Sequence, residues 1–196
     1  LKQRGVDAQI LAPEALEWSG GQLSSGGEVI DMVYNRLTDF ALEEASHTDL
    51  RQAYLTGEVA LTPHPRAHAL FADKRNLVIL GDPDRLGSLG VDPRTAARLG
   101  AAIPRTVLLD STDRDALWAE RDGWFFKPAT GYGSRGSYRG DKLTHGVWKA
   151  LQSAPHVAQR IAPPGVRIVH GDLTLKADVR CYASESGLHL FAARFY

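Results

Sequence analysis

Trp124-Phe125-Phe126-Lys127-Pro128-Ala129-Thr130-Gly131-Tyr132-Gly133-Ser134-Arg135-Gly136 is the most informative stretch of this 196-residue chain. Its aromatic opening, Trp124 to Phe126, favours a β-strand. Gly131, Gly133 and Gly136 then make the following segment too glycine-rich for a helix, so the strand runs out into a loop. A lysine emerging from a buried strand is costly unless its ammonium meets an anion or a paired carboxylate. Glycines let the backbone come close to a ligand and present N–H groups to it. Arg135 and Arg139 add two cations within a few residues. Together these features suit a polyphosphate. The segment is not a Walker A loop, because no Gly-Lys-Ser/Thr opens a helix, and it lacks the dinucleotide fingerprint, whose glycines lead directly into one. A flexible hairpin loop with solvated arginines accounts for the same residues without any ligand.

Around this stretch, short apolar runs alternate with helix-like segments, which is an α/β pattern. Strands are expected at residues 8–11, 28–34, 58–61, 103–109, 156–161, 173–182 and 188–196, with a Gly/Ser-rich turn or hairpin at 19–27. Helices are expected at 39–56 (ended by Gly57), 67–80, 113–121 and 142–152, the last with Asp141 as N-cap. Pro83, Gly87, Gly90 and Pro93 make 81–100 a broken helix or loop.

Lys and Arg number 23 and Asp and Glu 23, so zero net charge argues against wholesale polyanion binding. The charge is uneven, however. Residues 127–196 carry ten basic and four acidic side chains, leaving 13 and 19 in residues 1–126, so an anionic ligand should favour the C-terminal third. One cysteine, Cys181, excludes a disulfide framework and a multi-cysteine metal site. No apolar run approaches the roughly 20 residues that span a bilayer, and no signal pattern opens the chain. A cytoplasmic location is the default expectation, with no membrane partner. The chain starts at Leu1 and stops at Phe195-Tyr196 inside an apolar run, so both ends read as cuts through a longer protein.

Asp73-Lys74-Arg75 reads, by itself, as a solvated helix face. In a strand, residues two apart share a face, so Lys176, Asp178 and Arg180 line up together, opposite Leu175, Ala177, Val179 and Cys181. Three charged residues in a row suit ribose hydroxyls and phosphates, and a solvated sheet face explains them equally. On this alternation Cys181 is expected to be buried and inert. His64 and His68 lack a third ligand nearby in sequence, so metal binding by that pair is not expected.

Taken in order, the motifs resemble the ATP-grasp superfamily, in its glutathione-synthetase-like and tubulin-tyrosine-ligase-like branches. The matching pieces are Asp31-Met32-Val33-Tyr34-Asn35-Arg36, Asp73-Lys74, Ile103-Pro104-Arg105-Thr106, Lys127-Pro128 through Gly136, Gln159-Arg160, and Lys176-x-Asp178-x-Arg180-x-Tyr182. Each is weak alone; six in the family's order, from about residue 29 to the end, are not easily obtained by chance.

The resemblance implies an α+β ATP-grasp arrangement. A partial α/β domain would occupy 1–66, the N-terminal grasp subdomain with its glycine loop 67–158, and the start of a truncated C-terminal subdomain 159–196. It also implies roles. Lys74 and Lys127 would bind ATP phosphates from two sides, under a lid including Gly131, Gly133, Ser134 and Arg135. Gln159, Arg160 and Ile161 would hold adenine through backbone groups. Lys176 would lie near the adenine and Asp178 would accept from the ribose hydroxyls. Arg180 would touch the terminal phosphate or the carboxylate being activated, acting with Lys127 in catalysis. Arg194 would contact phosphate, and Arg36 would serve the acceptor substrate.

The implied reaction is ATP-dependent carboxylate–amine ligation through an acyl phosphate, with a small-molecule or peptide carboxylate and an amine as substrates. The superfamily's Mg²⁺ ligands would lie beyond Tyr196. Two other functions fit the same residues. One is a nucleotide-binding module without turnover. The other is a nucleic-acid-binding domain using Arg135, Arg139, Lys142 and Trp148, which the acidic first 126 residues disfavour.

Overall fold

A computed structural model describes residues 3, 5–110, 112–171 and 173–196. Near the N-terminus, glycine pairs fold a short meander: β1 (Glu17–Ser19), β2 (Gln22–Ser25) and β3 (Glu28–Val29) form one antiparallel sheet. Gly20-Gly21 and Gly26-Gly27 all have positive φ, the backbone that two-residue hairpin turns require. The hairpin expected at 19–27 is therefore present. The strand expected at 8–11 is not: those residues are irregular and exposed, with no neighbouring strand to pair them. The strand expected at 28–34 divides, because Ile30-Asp31 separates β3 from β4 (Met32–Tyr34), which joins a different sheet.

The helix expected over 39–56 is confined to α1 (Thr48–Thr56), with Gly57 as its C-cap. Asp39 is the reason. Its Oδ2 accepts the Glu44 N–H at 2.8 Å and meets His47 Nδ1 at 2.7 Å, holding 39–44 in a non-helical path. β5 (Ala60–Thr62) runs parallel to β4, the single parallel pair among the described strands, and α1 is the crossover between them. Leu23, Leu42, Leu50, Ala53, Val59 and Leu61 form the core here. Burial alone would raise the Asp39 pKa, but the Glu44 N–H and His47 outweigh it and hold the carboxyl below its ordinary value of 3.8. A depressed carboxyl contributes stability above its unfolded pKa and loses it as pH falls through the folded one. Wild type should therefore lose urea stability below about pH 4 more steeply than Asp39→Asn, with superimposable slopes contradicting that role.

The segment expected as one helix at 67–80 is two, α2 (Pro65–Phe71) and α3 (Asn76–Leu80). Asp73 interrupts them by accepting the Arg75 N–H at 2.8 Å and its guanidinium, so Asp73-Lys74-Arg75 occupies a turn and not a helix face. Residues 81–100, expected as broken, form α4 (Pro83–Ser88) and α5 (Pro93–Ala102). Each proline stands at the helix start behind an aspartate, Asp82 or Asp92, whose side chain accepts backbone N–H groups.

The chain divides into two compact units, Leu1–Asn76 and Leu77–Tyr196. In the second, β6 (Thr106–Leu108), α6 (Arg114–Ala119), β7 (Trp124–Pro128), β8 (Tyr138–Arg139), α7 (His145–Ala150) and β9 (His156–Arg160) build a four-stranded antiparallel sheet of order β6-β9-β7-β8. β7 falls where its aromatics place it. α7 is shorter than expected and is capped by Thr144, whereas Asp141 pairs with Arg139. Trp124, Phe126 and Ala158 face a core with Leu109, Leu117, Leu143, Trp148 and Leu151, where Phe126 lies edge-on to Trp148 at 5.4 Å between centroids.

A separate antiparallel sheet, β10 (Gly165–Val169), β11 (Leu173–Ser184) and β12 (Gly187–Phe195), completes the unit; β10 was not expected. The observed architecture is mixed α and β with mostly antiparallel sheets. No helix of the described residues is long and apolar enough to cross a membrane.

Candidate functional site

The second unit's four-stranded sheet has two unlike faces. Directly opposed antiparallel residues share a face, and residues alternate along each strand. The register Thr106↔Gln159↔Phe125, with Lys127↔Val157 one step along, places Thr106, Gln159, Phe125 and Lys127 on the face opposite Trp124 and Phe126. Lys127 Nζ donates to Gln159 Oε1 at 2.7 Å and lies 5.4 Å from the Phe125 ring centroid. Gln159 Nε2 donates to Thr106 Oγ1 at 2.9 Å, and Thr106 Oγ1 donates to Pro104 O at 2.8 Å. One acceptor of the Lys127 ammonium is thus the side-chain amide of the neighbouring strand. The sequence reading identified Lys127 but missed the Gln159 side chain and Thr106. Both sit on period-two strands, so only the cross-strand register could have revealed them.

Past Pro128 the chain enters the expected loop. Gly131 has φ +112°, a conformation that side chains rarely adopt, and Gly133, Ser134 and Gly136 are also at positive φ. The loop folds on itself: Arg135 N–H donates to Tyr132 O, Ser137 N–H to Ser134 O, and the Arg135 guanidinium lies 5.2 Å from the Tyr132 ring centroid. It therefore forms a structured glycine turn directly downstream of Lys127, with Arg135 on its surface.

Arg160 goes to the other face. Its guanidinium stacks 4.2 Å from the centroid of the buried Trp124 ring and bonds Glu120 at 2.6 Å. Its backbone N–H donates to Arg105 O, and Ile161 N–H donates to Gly123 O. Two backbone N–H groups of the segment expected to hold adenine are thus already donated within the protein.

Lys176, Asp178, Arg180 and Arg194 share one face of the β10-β11-β12 sheet, as the alternation predicts. Asp178 Oδ2 accepts from Arg194 Nε at 3.1 Å and raises the Arg194 pKa above its ordinary value. Arg180 Nη1 donates to Tyr182 OH at 3.4 Å. Asp178 and Arg194, expected to take a ribose and a phosphate, are therefore each other's partners here. Cys181 overturns its expected burial, because it is exposed. Alternation assigns a side chain to a face but does not cover that face, and nearly all of this sheet is exposed on both.

Lys74 and Arg36 belong to the first unit. Lys74 lies in the turn before α3, where Asp73 has its carboxyl held below the ordinary range, chiefly by the Arg75 side chain. Arg36 is exposed just past β4, beside the buried Asn35, whose side chain donates to Pro63 O and accepts the Leu37 N–H. Among the described residues no group of three or more His, Cys, Asp and Glu is arranged to hold a metal ion.

No protein-family model matches the chain, and no curated protein matches it. Among solved structures, that of the ATP-grasp ligase PsnB complexed with a minimal precursor is similar at a TM-score of 0.49 and 17% identity, covering 99% of this chain and 69% of that one. A likeness of that degree assigns neither a family nor an activity to this chain.

Proposed function

We propose that the chain binds ATP in the manner of the ATP-grasp superfamily and is the nucleotide-binding part of a carboxylate–amine ligase working through an acyl phosphate. The observation that carries this reading is Lys127, held by a neutral amide at the end of β7 and followed at once by a folded glycine loop. The six motifs in family order support it independently. Lys127 and the N–H groups of the 131–136 loop would hold phosphate oxygens, the loop excluding water from them. Lys176, Asp178, Arg180 and Arg194, of the same unit, would complete the nucleotide site.

In such a reaction a carboxylate oxygen takes the terminal phosphoryl group, ADP leaves, and an amine then displaces phosphate from the acyl carbon. Phosphoryl transfer asks the protein chiefly for positioning and charge stabilisation, which cations and backbone N–H groups supply. No step here is assigned to a metal, since the described residues hold no group of three or more His, Cys, Asp and Glu arranged for one. A second reading of the same residues is nucleotide binding without turnover.

The test is ADP release by the full chain with ATP, Mg²⁺ and a panel of amino-acid and peptide carboxylates and amines. ADP release that requires both substrates and is lost in Lys127→Ala supports the ligase. ATP binding with no ADP release in any combination supports the second reading, and no ATP binding contradicts both.

A further inference from the structure

On the face of the β6-β9-β7-β8 sheet turned away from Lys127, Val107 stands opposite Ala158 and Trp124 opposite Arg160. Where this face meets α6 there is a cleft of about 100 Å³, bordered by Arg105, Val107, Ala116, Leu117, Glu120 and Trp124. Val107, Leu117 and the Trp124 ring make one wall apolar. Three charged side chains border the cleft, Asp113, Glu120 and Arg105, and both carboxylates already have partners. Asp113 accepts the N–H groups of Asp115 and Ala116 at 3.0 and 3.1 Å, and Glu120 meets the Arg160 guanidinium at 2.6 Å. Arg105 differs. Its guanidinium carbon lies 5.7 Å from the Trp124 ring centroid, and no carboxylate among the described residues pairs with it. Trp124 is 2% exposed, and its Nε1–H meets no acceptor among the described residues. A buried donor without an acceptor is destabilising and rare in native structures. Two donors that lack acceptors thus belong to the wall of one cleft.

We propose that this cleft binds a small aliphatic carboxylate, one oxygen accepting from the Arg105 guanidinium and the other from the Trp124 Nε1–H, with the short carbon chain against Val107 and Leu117. Size limits the ligand. An engineered apolar cavity of about 150 Å³ holds benzene, so this cleft suits about four or five non-hydrogen atoms, as in acetate or propionate. Charge limits it too. A monoanion neutralises Arg105, whereas a phosphate dianion would bring a second negative charge beside Glu120 and Asp113. The guanidinium and the indole N–H only donate, which matches a carboxylate, whose oxygens only accept. The site stands on the face opposite Lys127 and does not depend on the nucleotide reading.

The experiment is titration of the nitrogen-15-labelled full chain with propionate, followed by NMR at the tryptophan indole N–H resonances. The chain has four tryptophans, and the resonance missing from Trp124→Phe identifies that of Trp124. The expected result is a saturable downfield shift of that resonance, with a dissociation constant in the millimolar range that so few atoms allow. Propionamide keeps the shape and loses the charge, so it should bind at least about tenfold more weakly, as should propionate in Arg105→Gln. Ala116→Leu keeps both donors and fills the cleft from an exposed helix position, so it should abolish the shift without lowering Tm. Lys127→Ala should bind propionate as wild type does, which separates this site from the proposed nucleotide site. No saturable shift up to roughly 100 mM propionate overturns the proposal. An equal response in Arg105→Gln or Ala116→Leu overturns it by placing the ligand elsewhere, and equal binding of propionamide overturns it by removing the preference for a carboxylate.

Discussion

Replacing Lys127 with alanine should abolish most of the thermal protection that ATP gives the protein. A ligand that binds only the folded state at 100 times its Kd stabilises by about 2.7 kcal/mol. For a protein this size that is roughly 5–10 °C in Tm. Removing a charge-assisted contact to phosphate costs about 3 kcal/mol, or roughly 10²-fold in Kd. At the same ATP concentration the variant would keep only about 0.4 kcal/mol of protection, roughly 1 °C. Without ATP, the substitution strands Gln159 Oε1, which the structure pairs with Lys127 at 2.7 Å, at a cost of about 1 kcal/mol. Equal ATP-induced shifts in wild type and variant, measured by differential scanning fluorimetry, would show that Lys127 does not meet the nucleotide.

The largest structural effect is expected far from the ligand, at Gly140. A Cβ built there would sit 1.7 Å from Arg121 O and 2.5 Å from Arg121 C. Both obstructing atoms are backbone, so no side-chain rotation relieves the clash, and the two short 3-10 turns at Arg121–Gly123 and Gly140–Lys142 would have to separate. Those turns flank β7 and β8, the strands on either side of the glycine loop. Gly140→Ala should cost about 3 kcal/mol or more, at or beyond the upper end for overpacking and comparable with emptying the Phe126 site. The expected fall in Tm is roughly 10 °C. A variant melting within about 2 °C of wild type would mean that the turns do not approach this closely.

Parts of this architecture were legible because a single local rule governed them. Trp124-Phe125-Phe126 reads as a strand from aromatic propensity alone, and the glycines that follow forbid a helix. Gly20-Gly21 and Gly26-Gly27 announce hairpin turns. Errors arose where one residue type serves opposite purposes. Pro83 and Pro93 do break 81–100 as expected, but with Asp82 and Asp92 before them each also opens a helix, α4 and α5. Asp39 and Asp73 lay inside apparent helical rhythms, but their carboxylates took backbone N–H groups and redirected the chain.

The candidate site divides in the same way. Lys127 was visible as a cation on a buried strand, and Lys176, Asp178 and Arg180 as a shared face. The Asp178–Arg194 pair depends on the β11–β12 register, and the hydrogen bonds joining Thr106, Gln159 and Lys127 on the alignment of β6, β9 and β7. Neither register is written in any one segment. Cys181 marks the same boundary, since alternation gave its side but not its exposure. Arg160 shows it again: its place beside Trp124 and Glu120 follows from strand pairing, not from its neighbours in sequence.

Amide hydrogen exchange of the full chain, with and without saturating ATP, locates the nucleotide most directly. Slower exchange across Gly131–Gly136 in wild type, absent when Lys127 is alanine, is the predicted result. Protection confined to other segments, with residues 131–136 unchanged, would contradict the placement of triphosphate at Lys127 and its glycine loop.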